Sequence, residues 1–244
     1  MVTNAWTVEE VSLLRALALQ TPCLTFAQIT RGWFAKSDGV EDSAERTLAR
    51  LASAQLITEQ TIEAHPLQAL TKPLFTWRPG EPPPTERRLT TLAERARDRW
   101  QLAHVPTTVF VASPKVVRLF GAFHDAHHTK HCEETHNLHL GEVLVRYRTA
   151  QPQLAAKWWG EAAFPKLGFD IKGMKDPDAF LLDPRGQAVR IVEFVGSYPA
   201  EHLLKFHEHC AGGAAQRLNR FLGPRFYSAL GHLYAPTGTA YELW

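Results

Sequence analysis

The chain has 244 residues, 45% hydrophobic and 21% charged, which places it among globular proteins and excludes a disordered or fibrous chain. Its 27 Lys and Arg against 25 Asp and Glu leave a formal net charge of +2, so any attraction to nucleic acid must come from local basic patches. Three widely separated cysteines, Cys23, Cys132 and Cys210, exclude a disulfide framework and point to a reducing compartment. The opening stretch MVTNAWTVEEV has neither a basic segment nor an apolar core, so no signal peptide is expected. No apolar run approaches a membrane span. The expected product is soluble, cytoplasmic and has no membrane partner.

Thr7 followed by Glu10 forms a capping-box pattern and predicts a helix over VEEVSLLRALALQ, broken at Pro22. Thr25 is placed to cap a short helix, FAQITRGWF, and Ser43 to cap a third, AERTLARLASAQ. The alternating LITEQTIEA and then LFTWRP read as strands. Three helices followed by a two-stranded ribbon predict a winged-helix DNA-binding domain over residues 1–80. Arg46 and Arg50 stand four residues apart on the third helix, which in a winged helix enters the major groove and meets phosphates or guanine edges. The competing reading pairs these arginines with Glu45 or Asp42 on a solvated surface, and winged helices also serve as protein-docking modules.

GEPPPTE, residues 80–86, is the clearest boundary, because consecutive prolines make a stiff spacer. The following helix, ERRLTTLAERARDRW, carries Arg87, Arg88 and Arg95 and a narrow apolar stripe of Leu89, Leu92 or Ala93, and Ala96. Residues 81–101 therefore read as a Pro-rich linker and basic connecting helix. That helix is suited to lie along DNA or to pack on the second subunit of a homodimer; the plainer reading is a solvated connector.

TTVFVAS reads as a buried strand, and Ser113-Pro114 as a helix start. In the segment from His124 to His139, His124 with His128 and His127 with His131 have helical spacing suited to zinc. The H-E-x-x-H motif and a second cysteine are missing, which favours ordinary histidines over zinc. NLHLGEVLVRYRTAQ has features of both helix and strand. In QPQLAAKWWGEAAFPK a short helix is expected, with one of Trp158 and Trp159 packed inward and the other at least partly on a rim, where it could stack on a base, although packing of both in the core against partner elements is the favoured reading. Neither GxxxxGK[ST] nor GxGxxG nor GxSxG occurs, which removes the nucleotide-loop and serine-hydrolase signatures.

The most informative stretch is KDPDAFLLDPRGQAVRIVEFVGSYPAEHLLKFHEHC, residues 175–210. It reads as strand, turn, strand and helix. On a period of two, Val189, Ile191, Glu193 and Val195 share a face. Glu193 is thus a carboxylate in an apolar row, which is costly unless it is paired or binds a metal. If the hairpin folds symmetrically about Arg185, Asp178 lies opposite Val192, one step from Glu193. Two adjacent carboxylates suit Mg²⁺ or Mn²⁺. Beyond the hairpin, GGAAQRLNRFLG reads as a helix with Arg217 and Arg220 outward, and FYSALGHLYAP and TAYELW as terminal strands.

Pro177-Asp178, with Glu193 on the next strand, resembles the core of PD-(D/E)XK nucleases. PDAFLLD, VEFVGSY and LLKFHEHC together resemble the replication-relaxation family of bacterial, often plasmid-borne, DNA-binding proteins. The resemblance implies an α/β (α+β) chain: an N-terminal winged helix followed by a PD-(D/E)XK-like mixed sheet flanked by helices over residues 102–244. It also implies DNA, and other replication or mobilisation proteins, as partners. It favours a helix for NLHLGEVLVRY, on which Glu142 would join Asp178 and Glu193 as a metal ligand. A surface pair of Glu142 with Arg146 is the alternative. The usual E-x-K pattern would put lysine at position 195, where this chain has Val195. Lys205, on the following helix, is the candidate catalytic replacement, and an ion pair with Glu201 is its alternative. Three functions remain open on these residues: a DNA-binding protein, a metal-dependent DNA endonuclease, and an interaction module that has kept the fold and lost the chemistry.

Overall fold

The computed structural model describes residues 6–35, 39–122, 133–163, 177–184, 188–213 and 239–244. The chain is mixed α/β and divides into two compact units, both discontinuous in sequence. The first comprises residues 1–69, 103–156 and 160–167; the second comprises 70–102, 157–159 and 168–244. Among the described residues, no helix is long and apolar enough to cross a membrane.

The first unit begins with α1 (Val8–Leu19), which starts at the expected capping box: Thr7 and Glu10 exchange side-chain and backbone hydrogen bonds. Thr25 and Gln28 form a second box at α2 (Phe26–Ile29), which runs on as a π-helical turn, Thr30–Phe34. The third helix, α3 (Val40–Ser53), starts earlier than Ser43 predicts. Gly39, at φ 61°, supplies the left-handed turn into it, a conformation glycine adopts without strain.

The ribbon that follows is not the expected one. Strand β1 (Ile57–Ala64) pairs antiparallel with β3 (Val105–Ala112) over its whole length. The intervening β2 (Phe75–Trp77) belongs to the second unit and pairs with β7 (Tyr241–Leu243). Length explains the choice. The VPTTVFVA run of β3 matches all eight residues of β1, whereas three residues of β2 would leave most of β1 without ladder partners. Leu24, between α1 and α2, adds a two-bond bridge to Phe110.

Ile62, Ala64, Val109 and Val111 form one apolar face of this ribbon. They pack with Cys23 and with Leu138 of α6 (Glu134–Ala150), so the ambiguous NLHLGEVLVRY segment is helical. Gly141 lets α6 lie close to the chain, since a Cβ there would sit 3.0 Å from the Cys23 carbonyl oxygen. The Ser113-Pro114 start is confirmed by α5 (Pro114–Leu119).

The second unit holds a five-stranded mixed sheet in the order β2-β7-β6-β5-β4, with β4 at Trp158–Gly160, β5 at Ala179–Leu182 and β6 at Ala188–Glu193. β5 and β6 are antiparallel, and β6 and β7 parallel. The short helix expected across both tryptophans stops at α7 (Pro152–Ala155), and the pair lies on β4 instead. Strand alternation buries Trp158 and leaves Trp159 half-buried.

Helix α4 (Glu86–Asp98) packs on α8 (Ala200–Glu208). It is therefore part of the second unit and not a free connector. The cause is its stripe: Leu89, Leu92, Ala93 and Ala96 are all buried. Residues 164–176, 185–187 and 214–238, which include the expected helix with Arg217 and Arg220 and the strand FYSALGHLYAP, lie outside the described residues.

Candidate functional site

The two hairpin carboxylates come together more closely than sequence symmetry suggests. The ladder runs Ala179–Val192, Phe180–Ile191 and Leu181–Arg190, then shifts to Leu182–Ala188. Val189 is the extra residue of this β-bulge and is exposed, so it leaves the face it was expected to share with Ile191 and Glu193. The bulge moves the register by one residue. Carried one step past Ala179–Val192, the register sets Asp178 opposite Glu193 rather than opposite Val192.

Both carboxylates are buried, Asp178 at 4% exposure and Glu193 at 2%. Asp178 Oδ2 accepts a hydrogen bond from the Phe194 amide at 2.6 Å, so it satisfies a backbone group beside the strand end. The backbone of Glu193 also binds the last strand, its carbonyl accepting from the Trp244 amide at 2.9 Å. Burial and the charge of Glu193 push the Cys210 thiol well above its ordinary value. Burial alone pushes the neighbouring His209 down to about 4. Cys210, whose thiol feels the charge of Glu193, was not singled out in the sequence, although the apolar spacing of Leu203, Phe206 and Cys210 turns this face of the chain inward.

Chemically, this is an oxygen-rich, water-poor corner. Among the described residues, no group of three or more His, Cys, Asp or Glu side chains is arranged to hold a metal. Two carboxylates still match the way Mg²⁺ binds, since it keeps several waters and takes its remaining ligands from substrate phosphate.

The other expected members have partners or surroundings of their own. Glu142 is in the first unit, while Asp178 and Glu193 are in the second. The Glu142 carboxylate is gripped by Arg31 through two bonds of 3.0 and 2.6 Å and also accepts from Gln28 Nε2 at 3.3 Å. The partner is thus Arg31, not Arg146. Lys205 is on the exposed side of α8, because Leu203, Phe206 and His207 take the buried side. Val195, at the usual lysine position, is buried and donates its amide to the Trp244 carbonyl.

The arginines divide similarly. Arg46 is exposed on α3 and reaches Ser43 Oγ at 3.4 Å. Arg50, expected beside it as a DNA contact, forms an ion pair with Glu10 of α1, which is 1% exposed. Arg87, Arg88 and Arg95 are exposed on α4, with the Arg88 guanidinium 4.4 Å from the centre of the Phe75 ring.

Of the histidine-rich segment, residues 123–132 lie outside the described region. His139 is buried, with Nδ1 2.8 Å from the Thr135 carbonyl and Nε2 accepting from the Gln68 amide at 3.3 Å. Both ring nitrogens therefore have structural partners. Comparison of the chain with protein-family models, with curated proteins and with solved structures found no match.

Proposed function

We propose that this chain is a DNA-binding protein of the replication-relaxation type, in which a winged-helix unit docks on duplex DNA and is joined to a nuclease-like core. The observation that carries the reading is the order of elements in the first unit. Helix α1, the bridging residue Leu24, helices α2 and α3, and the β1–β3 ribbon follow one another as in a winged helix, with the excursion between the ribbon strands in the place of the wing. Helix α3, which precedes the ribbon, is then the element that enters the major groove. Its first turn carries Glu41 and Asp42, which repel phosphate, so the favourable contact on this helix is assigned to Arg46. Arg87 and Arg95 of α4 add exposed positive charge on the second unit.

The test is fluorescence-anisotropy titration of a labelled duplex across a salt series. Arg46→Ala should weaken binding and flatten the salt dependence by roughly one counterion. Binding by wild type that is indifferent to salt would overturn the reading.

The Asp178–Glu193 apposition favours a second reading, a Mg²⁺- or Mn²⁺-dependent DNA endonuclease of the PD-(D/E)XK class. Adjacent strands β4, β5 and β6, then α8, then β7 parallel to β6 give the strand order expected of such a core. A divalent ion held by the two carboxylates would supply Lewis acidity at the scissile phosphate and a more acidic water. Asp178 and Glu193 would orient that ion, and the buried strand end would limit bulk water. Nicking of supercoiled plasmid that requires the metal and is lost in Glu193→Gln would establish this activity. Metal-independent nicking, or none, would leave the core as a scaffold.

A further inference from the structure

A cavity of about 300 Å³ opens in the first unit, lined by Ser12, Arg15, Gln20, Arg148 and Ala155 among others, with no carboxylate in its wall. Arg148 is fixed before any ligand arrives. Its guanidinium lies 3.9 Å from the centre of the Trp33 ring, and its Nε donates to the Gly32 carbonyl at 3.1 Å. Among the described residues, its two terminal nitrogens have no hydrogen-bond partner. Ser12 Oγ accepts from Trp33 Nε1 at 3.2 Å, which orients the hydroxyl and leaves its proton to donate. Trp33 thus positions two of the cavity's polar groups at once. Burial, and then the charge of Arg15, push the Arg148 guanidinium down to about 10, so the two cations share one electrostatic environment.

We propose that this cavity binds the phosphoryl group of a small phosphate monoester, held by Arg15 and Arg148 with the Ser12 hydroxyl as a third donor. A phosphoryl group fits better than a carboxylate for two reasons. Its charge of about −1.5 to −2 near neutrality is drawn more strongly than a carboxylate's to a wall that carries two guanidinium groups, and its three oxygens match three separate donors. The cavity is at the lower end of small-molecule sites, which start at about 300 Å³, so it suits a single phosphate with a small organic body. The site is distinct from the DNA-contact residue Arg46 and from the hairpin carboxylates.

The experiment is isothermal titration of the intact chain with inorganic phosphate and with adenosine 5′-monophosphate, with acetate as the carboxylate control. Wild type should bind phosphate with a dissociation constant near or below roughly 1 mM, and acetate at least about tenfold more weakly. Arg15→Gln should lose about tenfold or more. Arg148→Lys keeps the charge while removing the planar fork and should also lose about tenfold. Both variants are to be checked for unchanged circular dichroism, and Arg15→Gln stands as the test if Arg148→Lys fails to fold. A 5′-phosphorylated oligonucleotide competing with phosphate, where its 5′-hydroxyl counterpart does not, would show that a strand end can supply the group. Displacement by adenosine 5′-monophosphate alone would assign a free metabolite. No phosphate binding, equal acetate binding, or unchanged binding in Arg15→Gln would overturn the assignment.

Discussion

Arg31 closes a two-bond fork on Glu142, Nη1 to Oε1 at 3.0 Å and Nη2 to Oε2 at 2.6 Å. The carboxylate is buried and the arginine is half-exposed. Removing the arginine leaves a buried charge with, among the described residues, only Gln28 as a remaining donor. Arg31→Ala should therefore lower stability by about 1–3 kcal/mol, the lower part of the range for a broken buried pair because solvent screens the arginine. Urea midpoints of wild type and variant check this. If Glu142 instead served a metal, Glu142→Gln would abolish metal-dependent nicking; the fork predicts that nicking survives.

Arg46 and Arg50 should behave differently, although one turn of helix separates them. Arg46→Ala is expected to change duplex binding and leave the thermal midpoint within the usual spread for surface substitutions, about ±0.5 kcal/mol. Arg50→Ala strips the partner from Glu10, which also holds the Thr7 capping box, and should cost about 1–3 kcal/mol. Thermal melts run beside anisotropy separate the two. A stable Arg50→Ala that binds DNA poorly would return Arg50 to the interface.

Asp178 Oδ2 accepts the Phe194 amide. Asp178→Ala leaves that buried donor unmet and should cost about 1–3 kcal/mol. Asp178→Asn keeps an acceptor and should retain most of the stability. In the nuclease reading, Asp178→Asn still loses activity because a carboxylate ligand is gone. A folded Asp178→Asn with full nicking activity would exclude a metal role for this residue.

His209 carries a pH signature. Burial holds its folded value at about 4, against an unfolded value of about 6.5. The unfolded chain therefore takes up the proton first as pH falls. The stability contributed by the neutral ring is fully present above about 6.5 and is lost progressively between about 6.5 and 4. His207 is shifted down as well, by burial, with Glu208 opposing, and acts in the same direction. Urea unfolding at pH 7 and pH 5 should show a smaller pH-dependent loss in His209→Asn than in wild type. Equal losses would mean that the ring is hydrated in the folded state.

Local chemistry made many of the elements legible. The Thr7–Glu10 capping box, the Thr25 cap, the Ser113-Pro114 start and the apolar stripe of α4 all act within a few residues of chain, and the structure has each of them. Partner choice was not legible. Nothing within LITEQTIEA says that its mate lies forty residues on, because β-pairing is settled by which strand has the matching length and face. The same holds at the hairpin. Glu193 was visible as an anomaly and Asp178 as the carboxylate nearest it across the hairpin, but the bulge at Val189 that aligns them was not. The ion pairs of the buried Glu10 with Arg50 and of the buried Glu142 with Arg31 were missed because each joins helices far apart in sequence.

The placement of β7 has a consequence for biogenesis. This strand lies inside the sheet, bonded on one side to β2 and on the other to β6, yet it is the last of these strands to leave the ribosome. Until it arrives, β2 lacks the neighbour to which it bonds and β6 presents an open edge, the kind of surface that captures stray strands. Chains travel through synthesis N-terminus first, so until β7 is made the sheet of the second unit waits with a gap between β2 and β6. A nascent chain stalled shortly before Tyr241 should therefore be protease-sensitive and prone to self-association, and a chaperone that shields the β6 edge would act at that moment.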